Sequence, residues 1–202
     1  QSDILEQESN LFEEFLKPTA NVSQGDFTKI DKATETYLNE LDQRTQSNEI
    51  EYPTGFSEID KKTGGLQIGL QVLGARPAMG KTALAIQLLI NFALQDIVVV
   101  FFSLEMTKSQ LIGRVISNIC SINSKALRDG TLTQEEHDRI IENTTEIISK
   151  NVFLSDEQLT TSGFRSMMQK MRLKFPDQEM LAIVDYLQLM QGSSKNREQE
   201  IR

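Results

Sequence analysis

Apolar residues recur every three or four positions at the start of the chain. Ile4, Leu5, Leu11, Phe12, Phe15 and Leu16 share one stripe, while Glu6, Glu8, Glu13 and Glu14 take the other side. That pattern predicts an amphipathic helix over residues 3–16. Pro18 stops it, and Asn21 to Gly25 is a polar break. Helical spacing resumes at Phe27, Ile30, Ala33, Tyr37, Leu38 and Leu41; Gln43 to Glu51 reads as a polar loop closed by Pro53. The expected division is an arm and hinge over 1–25 and a main domain over 26–202. By periodicity alone the arm either folds back on its own domain or docks on a neighbouring subunit, and both readings stand.

The composition changes from Thr54. Ser57-Glu58-Ile59-Asp60 has the pattern of a capped helix start, ended by Gly64-Gly65. Leu70-Gln71-Val72-Leu73 is a short apolar run that predicts a strand, and 82–94 is a helix apolar nearly all round. Ile97 to Phe102 is a continuous β-branched and aromatic run, as in a central parallel strand covered on both faces. Thr107-Lys108-Ser109-Gln110 is a capping box for a helix to about Asn118, and Thr133 to Glu136 opens another to about Lys150. A short strand at Val152-Phe153-Leu154, a helix over about 162–174 and a second buried strand at Leu181 to Asp185 follow. Strands alternating with helices predict an α/β fold with a parallel sheet flanked by helices.

In such a sheet, ligands bind at the carboxyl ends of the strands. Lys81, Glu105 and Asp185 each lie just past a predicted strand end. The stretch Ala75-Arg76-Pro77-Ala78-Met79-Gly80-Lys81-Thr82-Ala83 joins the first predicted strand to its helix. Strand, small-residue loop, Gly-Lys-Thr and helix in that order form a phosphate-binding loop. Its backbone N–H groups and the free helix N-terminus favour an anion. Lys81 can reach the terminal phosphates of a nucleotide, and the Thr82 hydroxyl can bind Mg²⁺. The strict pattern wants glycine where Ala75 stands. Alanine is small enough to keep the turn tight.

Asp185 occupies the position from which P-loop enzymes hold Mg²⁺. Glu105 can orient the water that attacks a γ-phosphate; the plainer reading is a solvated acid capping a strand or the following helix. Arg165, Lys170, Arg172 and Lys174 either face DNA or form a solvated helix face, the second being favoured; His137 reads as a surface residue and Cys120 as core filler.

The bulk numbers exclude several classes. A chain of 202 residues fits one domain with appendages, or one large domain. No apolar run approaches the roughly 18–20 residues of a membrane-spanning helix, the polar start is unlike a signal peptide, and one cysteine suits a cytoplasmic setting. No membrane partner is expected. The net charge of −8 argues against a simple electrostatic nucleic-acid binder. No Cys/His cluster points to a structural metal. The chain has no initiator Met, so a piece of something longer is expected.

Three motifs together carry a family resemblance. Gly74 to Thr82, Phe102-Ser103-Leu104-Glu105-Met106 and Asp185-Tyr186-Leu187-Gln188-Leu189-Met190 resemble the replicative DNA helicases of the DnaB family. Thr54-Gly55-Phe56 with Lys61 to Gln67 looks like the entry to that family's RecA-like domain. The resemblance covers about 54–192. It implies a RecA-like P-loop NTPase preceded by a helical linker arm, with ATP and Mg²⁺ as cofactors. It implies a homohexameric ring that moves 5′ to 3′ on single-stranded DNA. The arm at 3–16 would be the linker helix that packs on a neighbour's ATPase domain. Helicase loader and primase would be further partners. By position, Glu105 matches the catalytic carboxylate, Lys81 and Thr82 the phosphate and Mg²⁺ pair, and Asp185 the acid of the second nucleotide motif. In RecA-like sheets the strand after the Asp185 one inserts beside the phosphate-loop strand. It would lie beyond Arg202, with the γ-phosphate sensor, the basic finger and the main DNA loops, so an incomplete sheet is expected. The competing readings are a RecA-like ATPase of another kind and a non-catalytic oligomerisation or loader-binding module.

Overall fold

The computed structural model describes residues 27–47, 50–76 and 78–186. The arm at 3–16, Pro77 and the end of the last motif, from Leu187, lie outside the described residues. The chain divides into two compact units after Gln71.

In the first unit, α1 spans Ile30–Ser47 and α2 spans Ser57–Thr63. Helix α1 runs through positions expected as loop. Those residues are polar but include no glycine or proline, so nothing in the backbone opposes continuation. Phe27, Ile30, Tyr37, Leu38 and Leu41 are all exposed. Helix α2 also departs from expectation. Phe56 is its N-cap and supplies no side-chain bond, because the helix has already begun at Ser57. Asp60 turns instead to the preceding loop, where its buried carboxylate accepts from the Thr54 N–H (2.8 Å), the Thr54 hydroxyl (2.6 Å) and the Gly55 N–H (3.2 Å). The expected glycine stop holds: Gly64 is left-handed at φ 71° and its N–H bonds to the Asp60 carbonyl. Gly65 follows at φ 87°, where a Cβ would lie 2.5 Å from the Tyr52 carbonyl oxygen. Only glycine fits there.

Among the described residues, the second unit holds a three-stranded parallel sheet in the order β2-β1-β3. Helix α3 (Lys81–Leu94) precedes β1 (Val98–Ser103). Then come α4 (Lys108–Cys120), α5 (Ser124–Asp129), α6 (Gln134–Ile148), β2 (Val152–Ser155), α7 (Thr161–Lys174) and β3 (Met180–Asp185). Strand β1 is buried along its whole length and sits in the middle of the sheet. The core around it uses Ile86, Leu89, Ile90 and Phe92 of α3 with Leu111 and Val115 of α4. Burying one such side chain stabilises the fold by about 1.5–3 kcal/mol. Both expected capping boxes are present, Thr107 with Gln110 and Thr133 with Glu136. Cys120 is buried and His137 is exposed on α6. Helix α5 was not expected, although Asn123 caps it and a left-handed Gly130 ends it.

Two strands differ from the sequence reading. The run Leu70 to Leu73 forms no strand, and Leu70, Val72 and Leu73 are about half or more exposed. An apolar run becomes a strand only when a neighbour takes up its N–H and C=O groups; among the described residues none does. Strand β3 is half-buried rather than fully covered, apart from Asp185. It pairs with β1 on one side and forms the sheet edge among the described residues. No helix among the described residues is long and apolar enough to cross a membrane.

Candidate functional site

The site lies at the carboxyl end of the sheet in the second unit. Strands β1 and β3 run in parallel register from Val98 opposite Met180 to Ser103 opposite Asp185. The Leu104 N–H then donates to the Asp185 carbonyl (2.8 Å). The two strand ends therefore stop side by side, and the segment carrying Glu105 leaves next to Asp185.

The loop expected to bind phosphate lies at the same end, joined to it through the start of α3. Ala75, Arg76, Ala78, Met79 and Gly80 are exposed. A turn closes from the Met79 N–H to the Arg76 carbonyl (3.2 Å). Ala75 does not have a positive φ, so its backbone makes no demand for the glycine of the strict pattern. The left-handed positions are Ala78 at φ 64° and Gly80 at φ 88°. Gly80 is the N-cap of α3 and provides no side-chain acceptor. The first turn of α3 contains no acid either. Helices α4 to α7 are each capped by a side chain, from Thr107, Asn123, Thr133 and Thr160. Within this unit α3 alone of the described helices presents its first N–H groups without a side-chain acceptor. Those donors and the positive end of the helix dipole favour a bound anion.

Three residues expected to work together are in contact. The Thr82 hydroxyl donates to Asp185 Oδ2 (2.6 Å). Lys81 Nζ lies 3.8 Å from Asp185 Oδ1. Asp185 is only 4% exposed, so its charge is held almost out of water and needs these partners. The oxygens suit a hard divalent cation. Neighbouring ligands on an octahedral Mg²⁺ with bonds of about 2.0–2.1 Å stand about 2.9 Å apart. The Thr82 and Asp185 oxygens have close to that spacing, so the pair fits the ion. No group of three or more acidic, His or Cys residues among the described residues forms a separate metal cluster.

Glu105 is placed beside this group but is not joined to it. It is exposed, and among the described residues no hydrogen bond or ion pair engages its carboxylate. The backbone around it is well held. The Ser103 hydroxyl donates to the Met106 carbonyl (2.7 Å), and Thr107 caps α4 directly afterwards. Asp156, just past β2, accepts from both the backbone N–H (2.9 Å) and Nζ (3.0 Å) of Lys108. These bonds hold the Asp156 carboxyl below and the Lys108 ammonium above their ordinary values. The turn bearing Glu105 is thus fixed at both ends while its carboxylate remains free to face a ligand.

Of the basic residues of α7, Lys170, Arg172 and Lys174 are exposed, as the solvated-face reading expects, whereas Arg165 is half-buried and departs from it. Lys174 lies over the rings of Phe153 and Phe175. One site residue received no role from the sequence. Tyr186 follows Asp185, and its ring lies under Lys81 Nζ at 4.1 Å from the centroid. An aromatic directly after the strand-end acid is the only signal in the sequence, and it names no contact by itself.

Similarity to known proteins follows the same residues. The sequence profile described as "DnaB-like helicase C terminal domain" matches residues 52–202. "Replicative DNA helicase DnaB" of Synechocystis sp. is 35% identical over 141 residues, covering 68% of this chain and 16% of the relative. "Probable replicative DNA helicase" of Guillardia theta is 35% identical over 169 residues, covering 83% of this chain and 28% of the relative. The chain thus spans less than a third of these relatives' lengths. Among solved structures, one described as an "ATPase Domain" superposes with a TM-score of 0.78 at 30% identity, covering 85% of this chain and 61% of that one. "The Structure Of A DnaB-Like Replicative Helicase And Its Interactions With Primase" superposes with a TM-score of 0.74 at 26% identity, covering 96% and 50%. The fold is RecA-like, as the resemblance implied. On the profile match over most of its length, the chain belongs to the DnaB-like helicase C-terminal domain family.

Proposed function

We propose that this chain is the motor part of an ATP-driven replicative DNA helicase. The observation that carries the reading is the meeting of Lys81, Thr82 and Asp185 at the uncapped N-terminus of α3. This arrangement binds a triphosphate and a divalent cation together. Hydrolysis of ATP would supply the free energy for movement on DNA.

The chain's own residues have distinct tasks in this reading. The backbone N–H groups of Ala78 to Ala83, with the rest of the loop from Ala75, surround the phosphates. Lys81 places a positive charge against the terminal phosphates. Thr82 and Asp185 offer two oxygens to Mg²⁺. Glu105 orients a water and accepts its proton as the water attacks. Its exposed and unpaired carboxylate supports that role better than a structural one. The active assembly is a homohexameric ring moving 5′ to 3′ on single-stranded DNA in the cytoplasm. Residues 1–25 form the arm and hinge, with helix 3–16 docking on the neighbouring subunit, and the ATPase domain starts at 26. Loader and primase bind the full-length protein.

Lys81→Ala in the full-length protein tests the motor reading. It removes the phosphate-facing cation, so ATP hydrolysis and strand separation are both expected to disappear. Strand separation at the parent's rate would overturn the reading. Nucleotide-dependent hydrolysis that DNA does not stimulate would favour a RecA-like ATPase of another kind.

A further inference from the structure

We propose that Tyr186 is a positioning residue for Lys81. The ring of Tyr186 fixes the ammonium so that it is already placed when phosphate arrives. The proposal rests on the reading of Lys81 as the phosphate-binding cation.

The geometry gives the ammonium two neighbours of different kinds. Asp185 Oδ1 lies 3.8 Å from Nζ, and the Tyr186 ring centroid lies 4.1 Å away. Asp185 is the last residue of β3 and Tyr186 the next in the chain. One strand end therefore supplies both. An aromatic face attracts a cation through its quadrupole, best within about 6 Å of the centroid. An ammonium has three donors. With one toward the carboxylate and one toward the ring, the third is left for another acceptor.

The physical benefit lies in the lysine stem. A lysine side chain has four rotatable bonds, and ordering it on binding opposes affinity. The Lys81 side chain is 29% exposed, so most of it is already out of water. Asp185 alone is an incomplete anchor, because at 3.8 Å the contact is longer than a charged hydrogen bond. Asp185 also accepts the Thr82 hydroxyl on its other oxygen. The ring restrains the direction that the carboxylate leaves open. Orientation is then settled during folding rather than during binding.

A double-mutant cycle in the full-length protein tests this, read as the affinity for a slowly hydrolysed fluorescent ATP analogue with Mg²⁺. Tyr186→Leu removes the aromatic face while leaving an apolar side chain. Affinity is expected to fall about tenfold, the effect of a largely desolvated cation–π contact. Tyr186→Phe keeps the ring and is expected to restore affinity to within about twofold of the parent. In a Lys81→Ala background, Tyr186→Leu is expected to have no further effect, since the cation is already gone. Replacing the ring with progressively fluorinated phenylalanines should lower affinity step by step, because fluorine drains the negative face with little change of shape.

Several outcomes would overturn the proposal. One is a Phe variant as weak as the Leu variant. Others are an equal loss from Tyr186→Leu with and without Lys81, and no trend across the fluorinated series. Failure of the underlying reading looks different. There, Lys81→Ala alone would leave affinity for the analogue unchanged.

Discussion

Thr82→Val is the sharpest probe of the site, because it removes one hydroxyl and keeps a β-branched shape. In the parent that hydroxyl donates to Asp185 Oδ2 at 2.6 Å. The acceptor belongs to a residue that is 4% exposed. Its other contact in the site, Lys81 Nζ, lies at 3.8 Å. Losing a hydrogen bond to a charged group costs about 1.5–3 kcal/mol. For a chain of this size each kcal/mol shifts the melting temperature by about 2–4 °C. Taking about 2 kcal/mol, Thr82→Val should melt about 4–8 °C lower than the parent, without nucleotide or Mg²⁺. Thr82→Ser keeps the donor and loses a methyl group on a half-buried residue. It should melt within about 2–3 °C of the parent. Circular dichroism melts of the three proteins give the comparison. The second arm is nucleotide affinity with and without Mg²⁺. Parent and Thr82→Ser should bind more tightly with the ion, and Thr82→Val should gain clearly less from it, since only the Asp185 oxygen remains. Equal melting of Thr82→Val and the parent would refute the stabilising bond. An Mg²⁺ response of Thr82→Val equal to the parent's would remove its oxygen from the cation site.

Three further outcomes are expected. Glu105→Gln should bind ATP as the parent does but hydrolyse it about 10²–10⁴ times more slowly, measured as single-turnover phosphate release; comparable turnover would remove Glu105 from catalysis. For Asp60, burial pushes the carboxyl up, but the bonds from the Thr54 hydroxyl, Thr54 N–H and Gly55 N–H outweigh it and hold it below 3.8. Its stabilisation is therefore complete above the unfolded value near 3.8 and is lost as pH falls through the lower folded value. Asp60→Asn should flatten that acid limb in melts across about pH 2.5–5, and an unchanged limb would show that Asp60 does not contribute to it. Finally, Phe12→Asp or Leu16→Asp should lower the oligomer mass by light scattering with circular dichroism unchanged, whereas an unaltered mass would favour an arm folded back on its own domain.

The placement of the candidate site was legible because it resides in short local motifs. Gly80-Lys81-Thr82 marks the start of α3, and Asp185 closes an apolar strand. Their parallel register follows from the alternation of strands and helices, so their meeting could be inferred before any coordinates. Capping boxes at Thr107 and Thr133 were equally clear, since each needs only residues three apart. Helix α5 carried the same kind of signal, Asn123 before it and Gly130 after it, with too little apolar periodicity between them to attract notice. At α2 a local pattern misled: Ser57 and Asp60 look like a cap, yet Asp60 bonds back to Thr54 and Gly55.

By itself, then, the sequence determined the fold class and the place of Gly80-Lys81-Thr82 and of the acids at the strand ends. These depend on periodicity and on neighbours along the chain. Tertiary structure decided what depends on partners distant in sequence. It left Leu70 to Leu73 outside the sheet, because strand formation needs a second backbone. Among the described residues it made β3 a half-buried edge rather than a covered strand. It also set Tyr186 under Lys81, more than a hundred residues away in the chain. Periodicity carries no information on such a contact, since it arises only when β3 and the start of α3 are brought to the same end of the sheet.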